Sequence, residues 1–211
     1  SCDFDAVGVR KEERGKRGDE AIALIKKLWS EENVSFTGQF YSVRDLTLLP
    51  RPYQQGGPPL WVGGRSKAAF RRAGRLADGW LASSITPSEV AAGIEAIRAH
   101  AAEVSREIPE DHYGVLVPFS FATDTEEALR IAGSSIRRRQ DISPSEYSAL
   151  GTPEQVQLKL REYVDAGATK FVMRPYGPRG THSEQVRLLA KEVIPALQTP
   201  FSAAEREKRL G

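Results

Sequence analysis

The chain has 211 residues, 40% of them apolar and 27% charged, which is the composition of a globular domain with a substantial core. Thirty basic and 28 acidic side chains leave a formal net charge of +2, too weak a field to recruit nucleic acid or an anionic membrane surface. Cys2 is the only cysteine, which excludes an internal disulfide or a cysteine-built metal site and favours a reducing, cytoplasmic location.

The first third of the chain predicts one helix, followed by a short β-like segment. Residues 19–29 place their apolar side chains on one face, as an amphipathic helix does. Residues 33–52 carry two short β-like pieces around Gly38 and then a proline-rich stop. We expect this segment to precede the main strands. No apolar run approaches the roughly 20 residues that a membrane span needs.

Four short apolar runs follow, and a helical pattern comes after each of them. They are continuous rather than alternating, which suits strands buried on both faces of a parallel sheet. The predicted order is strand 60–63, helix 66–77, strand 79–83, helix 87–106, strand 114–121, helices 125–140 and 144–149, helix 153–166, strand 169–174 and helix 183–197. Four βα units predict the α/β class and about half of a (β/α)₈ TIM barrel, which needs eight.

Capping boxes mark several of the predicted helix starts. In this motif a Ser or Thr is followed three residues later by Glu or Gln, so that each side chain bonds the other residue's backbone N–H. Four pairs qualify: Thr86 with Glu89, Ser143 with Glu146, Thr152 with Gln155, and Thr181 with Glu184. Proline follows the first three caps, at a position where its missing N–H costs nothing.

The two ends of the chain differ from this pattern. It starts at Ser1 rather than Met, and its first residues have the character of an interior segment, so we expect further sequence upstream. Residues 199–211 are rich in Lys, Arg and Glu and predict a polar carboxyl-terminal tail. The predicted domain therefore covers residues 1–198.

Several motifs occur in a characteristic order. Leu60-Trp-Val-Gly-Gly-Arg-Ser66 is followed after a helix by Ala77-Asp-Gly-Trp80, and it is preceded by Phe36-Thr-Gly38 and Pro50-Arg-Pro52. This series resembles the luciferase-like monooxygenase family, which includes F420-dependent reductases and dehydrogenases. A looser likeness continues to a strand that ends at Arg174-Pro175. The resemblance implies that the chain holds the last four βα units of the barrel and lacks the first four.

The resemblance also implies an activity. We expect an oxidoreductase that transfers hydride or activates oxygen, with FMN or F420 as cofactor and a small organic molecule as substrate, and that forms a homodimer. The acid and base residues would lie in the absent strands, so no catalytic residue is assigned. Two alternatives stay open: a non-enzymatic half-barrel assembly or phosphate-binding module, and another phosphate-binding barrel such as an isomerase or aldolase.

One glycine-rich turn is the main candidate for binding a cofactor. Gly63, Gly64, Arg65 and Ser66 lie between a predicted strand and a predicted helix. Glycines allow the backbone to approach an anion, and the helix N–H groups point towards it. Arg65 adds charge, and Ser66 caps the helix and offers a hydroxyl. The alternative is an ordinary tight βα turn.

Two further positions follow the ends of predicted strands, where active sites of this barrel lie. Ser83 and Ser84 are predicted to contact the cofactor phosphate, or else only to begin a helix. Arg174 is predicted to bind an anionic substrate or cofactor tail, or else to form a surface salt bridge.

The remaining polar and aromatic candidates receive structural interpretations. Asp78 is predicted to stabilise the start of a strand, and Trp61 and Trp80 to lie in the core, with stacking on a flavin as the less favoured alternative. The run Arg137-Arg-Arg139 is predicted to be a solvated helix face, with a clamp on an acidic cofactor tail as the less favoured alternative. The three histidines have no metal-ligand spacing, so no metal site is expected.

Overall fold

The computed structural model describes residues 4, 6–178 and 180–198. Two compact units divide the chain: Ser1–Leu81 with Gly93–Tyr113, and Ala82–Ala92 with Gly114–Gly211. The predicted tail, 199–211, lies outside the described residues. None of the helices within the described ranges combines the length and apolar character that a bilayer crossing requires.

The first unit combines a hairpin, a parallel strand pair and helices. Its elements in chain order are a 3₁₀ turn Lys11–Glu13, helix α1 Arg14–Ser30, strands β1 Val34–Thr37, β2 Ser42–Leu46 and β3 Trp61–Gly63, helix α2 Lys67–Leu76, most of strand β4 Gly79–Ser83, and most of helix α3 Pro87–Ala102. Strands β1 and β2 are antiparallel, whereas β3 and β4 are parallel.

Helices α2 and α3 approach each other most closely at Gly74. A Cβ added there would lie 2.5 Å from the Ile97 carbonyl oxygen and 2.8 Å from the Ala101 nitrogen. No other residue type fits between these backbones without displacing one of them. The crossing therefore fixes residues of α3 against α2 within this unit.

The second unit is built on a long central strand. Its elements are β5 Tyr113–Phe121, helix α4 Thr125–Ala132, a 3₁₀ turn Pro144–Glu146, strand β6 Ala149–Gly151, helix α5 Pro153–Asp165, strand β7 Lys170–Pro175, helix α6 His182–Leu188, a π-helical turn Leu189–Val193 and helix α7 Ile194–Leu197. Strand β5 pairs in parallel with β7 from Gly114 and with β6 from Phe119.

Strands β5 and β7 differ in burial. Eight of the nine residues of β5 are buried, as predicted for a strand covered on both faces. Strand β7 alternates instead: Lys170, Val172 and Arg174 are exposed, while Phe171 and Met173 line an apolar groove with residues of α5 and of the last helical segment. The prediction of burial on both faces is therefore wrong for β7, and also for β3, where Trp61 and Val62 are partly buried and Gly63 is exposed.

Most predicted elements match the structure within a few residues, but the stretch between β5 and α5 does not. The helix predicted over 125–140 ends at Ala132, since Gly133-Ser-Ser135 follows and favours a turn. The helix predicted over 144–149 is a single 3₁₀ turn followed by strand β6. Three strand residues are too few to show a period of their own.

The capping predictions fared better. Ser143 with Glu146 and Thr152 with Gln155 form complete capping boxes, and Thr86 and Glu89 exchange the same pair of bonds. Thr181 makes no capping bond. Its hydroxyl donates to the Pro178 carbonyl oxygen instead, so the fourth box is wrong.

Candidate functional site

The β3–α2 turn (Gly63–Ser66) holds its shape through glycine. Gly64 has a φ of +106°, which side chains other than hydrogen rarely tolerate, and an added Cβ would lie 2.9 Å from the Ala69 Cβ. The indole N–H of Trp80 donates to the Gly64 carbonyl oxygen at 2.8 Å. Backbone conformation and one buried side chain therefore fix this turn.

The end of the turn presents hydrogen-bond donors to solvent. Ser66 is the N-cap of α2, and the Ala69 N–H donates to its Oγ at 3.2 Å. The N–H groups of Lys67 and Ala68 belong to the first helical turn and have no acceptor inside the helix. Residues 63–68 are all exposed, so an anion has access to these donors.

The electrostatics of this region favour an anion as well. Residues 60–77 contain five basic side chains and no acidic one. Arg72 and Arg75 pair with Asp19 and Glu103. In the described part of the chain, Arg65, Lys67 and Arg71 form no ion pair, so their charge adds to the positive end of the helix dipole.

The β4–α3 turn (Ser83–Thr86) has a different construction. Ser84 has a φ of +50° without being glycine. The Arg139 guanidinium donates to its carbonyl oxygen at 3.3 Å, and the Tyr163 hydroxyl donates to the Ile85 carbonyl oxygen at 2.6 Å. Burial raises the pKa of Tyr163, so this hydroxyl remains a donor at neutral pH.

Arg139 corrects the prediction of a solvated helix face over 137–139. This stretch is not helical, and although Arg137 and Arg138 are exposed, only 5% of the Arg139 side chain is. Arg139 donates to Glu89 Oε2 at 2.6 Å and to Asp141 Oδ1 at 3.0 Å. Its hydrogen bond holds the pKa of Glu89 below the ordinary value. The sequence carries no sign of this pairing.

Arg174 lies on the exposed face of β7, opposite Phe171 and Met173. Its guanidinium carbon is 5.2 Å from the centroid of the Tyr176 ring, a cation–π contact that orients the side chain. Among the described residues it forms no ion pair, so its charge is available to an anionic ligand.

Asp78 has the contacts of a structural residue. It accepts from the Leu60 N–H and from Lys26 Nζ, each at 2.9 Å, and from Arg106 at 3.3 Å. Burial opposes its ionisation, but these donors together keep its pKa below the ordinary value. A cleft of about 420 Å³ borders it, lined also by Trp29 and His112.

The two tryptophans also have structural contacts. Trp80 is fully buried, with Phe70 edge-on at 5.5 Å, and it bonds the β3–α2 turn. Trp61 is partly buried, with its ring 5.2 Å from that of His112. The predicted core position is confirmed for Trp80, whereas Trp61 is only partly buried. The sequence did not indicate the hydrogen bond from Trp80 to Gly64.

Curated relatives match most of the chain. The FMNH(2)-dependent dimethylsulfone monooxygenase of Pseudomonas putida is 34% identical over 207 residues, covering 97% of this chain and 53% of the relative. The F420-dependent glucose-6-phosphate dehydrogenase of Microbacterium testaceum is 26% identical, covering 90% of this chain and 63% of that enzyme. The chain thus spans roughly half to two thirds of these relatives.

Solved structures share the fold. The monooxygenase RslO1 from Streptomyces bottropensis superposes with a TM-score of 0.76 at 20% identity, over 93% of this chain and 65% of that one. An F420-dependent secondary alcohol dehydrogenase, solved with an F420–acetone adduct, gives 0.75 at 21% identity, over 93% and 66%. These likenesses confirm the predicted α/β class and the partial (β/α)₈ barrel.

The sequence profile of the luciferase-like monooxygenases matches residues 2–149, more than half of the chain. That range includes the β3–α2 turn and the β4–α3 turn. Together with the 34% identity to a flavin-dependent relative, the match confirms the resemblance drawn from the ordered motifs. The chain belongs to the luciferase-like monooxygenase family.

Proposed function

We propose that this protein is an oxidoreductase that uses FMN or F420, and that the β3–α2 turn binds the phosphate of the cofactor. The observation that carries the proposal is an exposed glycine turn at a helix amino terminus, with three cations that lack ion-pair partners among the described residues. Relatives that depend on FMNH(2) and on F420 support both cofactors.

The donor set fits a phosphate group. Ser66 Oγ, the first N–H groups of α2 and the Arg65 guanidinium are hydrogen-bond donors of the kind that phosphate oxygens accept. No carboxylate lies within residues 60–77 to repel the anion. Once bound, the cofactor supplies the hydride or oxygen chemistry, while these residues bind it and fix its position.

The other predicted site residues keep separate proposed roles. Ser83 and Ser84 are proposed to contact the cofactor from the β4–α3 turn. Arg174 is proposed to bind an anionic group of a small organic substrate, which its exposure and its contact with Tyr176 support. We further propose a cytoplasmic homodimer. No residue of this chain is assigned as the catalytic acid or base.

A pair of substitutions at Ser66 tests the phosphate role without damaging the helix. Asp and Asn are both good N-caps and nearly equal in size, so Ser66→Asp and Ser66→Asn should each preserve the bond to the Ala69 N–H. Only Asp adds a negative charge beside the bound phosphate. FMN and F420 are titrated against each variant, by fluorescence, with the purified chain and with the complete gene product.

We expect saturable binding of one cofactor, weakened about tenfold or more by Asp and much less by Asn. Arg187→Ala serves as a charge control, since it removes an exposed cation of α6 that has no part in the proposed site. Equal affinities for the Asp and Asn variants would remove the turn from the binding site. Failure of the complete gene product to bind either cofactor would overturn the proposed function.

A further inference from the structure

Three side chains hold the main chain of the β4–α3 turn at three consecutive residues. Arg139 donates to the Ser84 carbonyl oxygen and Tyr163 to the Ile85 carbonyl oxygen. The Thr86 N–H donates to Glu89 Oε2 at 2.9 Å. Since one backbone group of each of Ser84, Ile85 and Thr86 is bonded in this way, the turn has little freedom to change its conformation.

The turn needs this support because Ser84 is strained. A residue other than glycine in the left-handed region costs about 1–3 kcal/mol and persists only where the surroundings enforce it. The Ser84 carbonyl bond to Arg139 acts directly on this peptide unit. Releasing it would let Ser84 relax towards an ordinary φ, which would turn the adjoining Ser83 and Ser84 side chains.

Arg139 connects this turn to a distant part of the sequence. It lies in residues 133–143, the irregular stretch between α4 and the 3₁₀ turn, which we call the Arg139 segment. Its guanidinium reaches Ser84 and Glu89 on one side and Asp141 on the other. A second contact fixes the same segment, because the Tyr147 hydroxyl donates to the Arg137 carbonyl oxygen at 2.8 Å.

The geometry requires arginine rather than any cation. Its planar guanidinium bonds two carboxylates and a carbonyl oxygen at once: Nη1 donates to Glu89 and to the Ser84 carbonyl oxygen, and Nε donates to Asp141. A lysine ammonium at the same place would keep the charge but would lose part of this set. Glu89 is shared as well, because its carboxylate accepts from Thr86 in the capping box and from Arg139.

From these contacts we infer that Arg139 is a positioning residue for cofactor binding. It holds the β4–α3 turn in the conformation that presents Ser83 and Ser84, and it makes that conformation depend on an ordered Arg139 segment. The inference rests on the proposed function of Ser83 and Ser84. Only 5% of the Arg139 side chain is exposed, so we assign it a positioning role rather than a direct contact with the cofactor.

The test compares three variants of the complete gene product. Arg139→Gln removes both the charge and the planar guanidinium, whereas Arg139→Lys keeps the charge alone. Arg138→Gln removes an exposed neighbouring charge and is the matched control. Two quantities are measured for each. One is the affinity for FMN or F420, and the other is hydrogen exchange of peptides covering residues 83–86 and 133–143, read beside the global melting temperature.

We expect Arg139→Gln to weaken cofactor binding about tenfold, which corresponds to a turn that keeps its binding conformation in about one molecule in ten. Exchange should rise in both peptides together. Arg139→Lys should recover most of the melting temperature but little of the affinity, which separates positioning from plain stability. Arg138→Gln should match the wild type in both measurements.

Three results would overturn the inference: unchanged exchange at residues 83–86 in Arg139→Gln, faster exchange there with unchanged affinity, or full recovery of affinity in Arg139→Lys. Failure of the proposed function gives a different result. The wild type would then bind no cofactor, while exchange would still report whether Arg139 holds the turn.

Discussion

The two strand-to-helix turns of this chain reach a fixed shape by opposite means. The β3–α2 turn uses glycine at +106° and one buried indole, and it leaves its donors and cations exposed. The β4–α3 turn places a serine at +50° and ties the main chain to side chains from α3, α5 and the Arg139 segment. The conformation of the β3–α2 turn thus depends on the local sequence, whereas that of the β4–α3 turn depends on residues distant in the sequence.

The largest loss of stability should come from replacing Gly64 in the β3–α2 turn. Gly64→Ala adds a Cβ at a φ of +106° and against Ala69, so it should destabilise the chain by about 3 kcal/mol. Urea unfolding measures the loss. Gly56→Ala is the control, since Gly56 also has a positive φ, +80°, but open space around it. An equal loss at both positions would show that the Ala69 contact is unimportant.

Replacing Arg139, which bonds the β4–α3 turn, should reduce the free energy of unfolding somewhat less. Arg139→Gln leaves Glu89 and Asp141 without their guanidinium, and because both carboxylates are partly exposed we expect a loss of about 2 kcal/mol by urea unfolding. A loss below that of the exposed control Arg138→Gln would contradict the described contacts.

The same variant should change how stability depends on pH. The Arg139 hydrogen bond holds the folded pKa of Glu89 below its ordinary value, so the pair stabilises the fold at any pH above that ordinary value. The contribution disappears as pH falls through the lowered pKa. The difference in unfolding free energy between wild type and Arg139→Gln should therefore narrow as the pH is lowered from neutral into the acid range. A constant difference across this range would exclude the Glu89 pair as its source.

Removing the uncharged hydrogen bond between Tyr163 and the β4–α3 turn should reduce stability by a smaller amount. Tyr163→Phe deletes a buried hydroxyl and leaves the Ile85 carbonyl oxygen without this donor, at a cost of about 1.5 kcal/mol. Thermal unfolding measures the loss. Val164→Ala, at an exposed neighbour on α5, gives the background for that helix. A Tyr163→Phe variant as stable as wild type would mean that water replaces the bond.

The smallest effect should come from placing glycine at the positive-φ position of the β4–α3 turn, as the β3–α2 turn already has. Ser84→Gly removes the strain of a left-handed serine but adds freedom to the unfolded chain, so the net change should be within about 1 kcal/mol. Combined with Arg139→Gln, it should reduce the loss caused by that variant. Additive losses in the double variant would mean that Arg139 does not act through Ser84.

The sequence was most informative where a local rule determines the structure. Continuous apolar runs identified β3, β4, β5 and β7, and proline beside a capping residue located the starts of α3 and α5. It failed between Gly133 and Ser148, where no period runs long enough to indicate an element. Strand β6 is defined by its pairing with β5, which propensity does not reveal.

The candidate site shows the same difference between residues that local sequence identifies and residues that tertiary contacts determine. Gly63, Gly64 and Ser66 were found because a glycine pair and a helix cap are local features of a βα turn. Arg139 was assigned to a solvated face because two of its partners, Glu89 and Ser84, lie 50 and 55 residues away in the sequence. Burial of a charged side chain follows from tertiary contacts and has no periodic signature.

The close crossing at Gly74 has a consequence for anyone who divides this gene into expressible pieces. The chain passes from the first unit to the second after Leu81, returns at Gly93 and leaves again after Tyr113. A fragment that stops at Leu81 would lose the part of α3 that packs on Gly74. A break after Tyr113 keeps residues 1–81 and 93–113 on one polypeptide, but it separates residues 82–92 from Arg139 and Tyr163, so neither cut leaves both units with all their contacts.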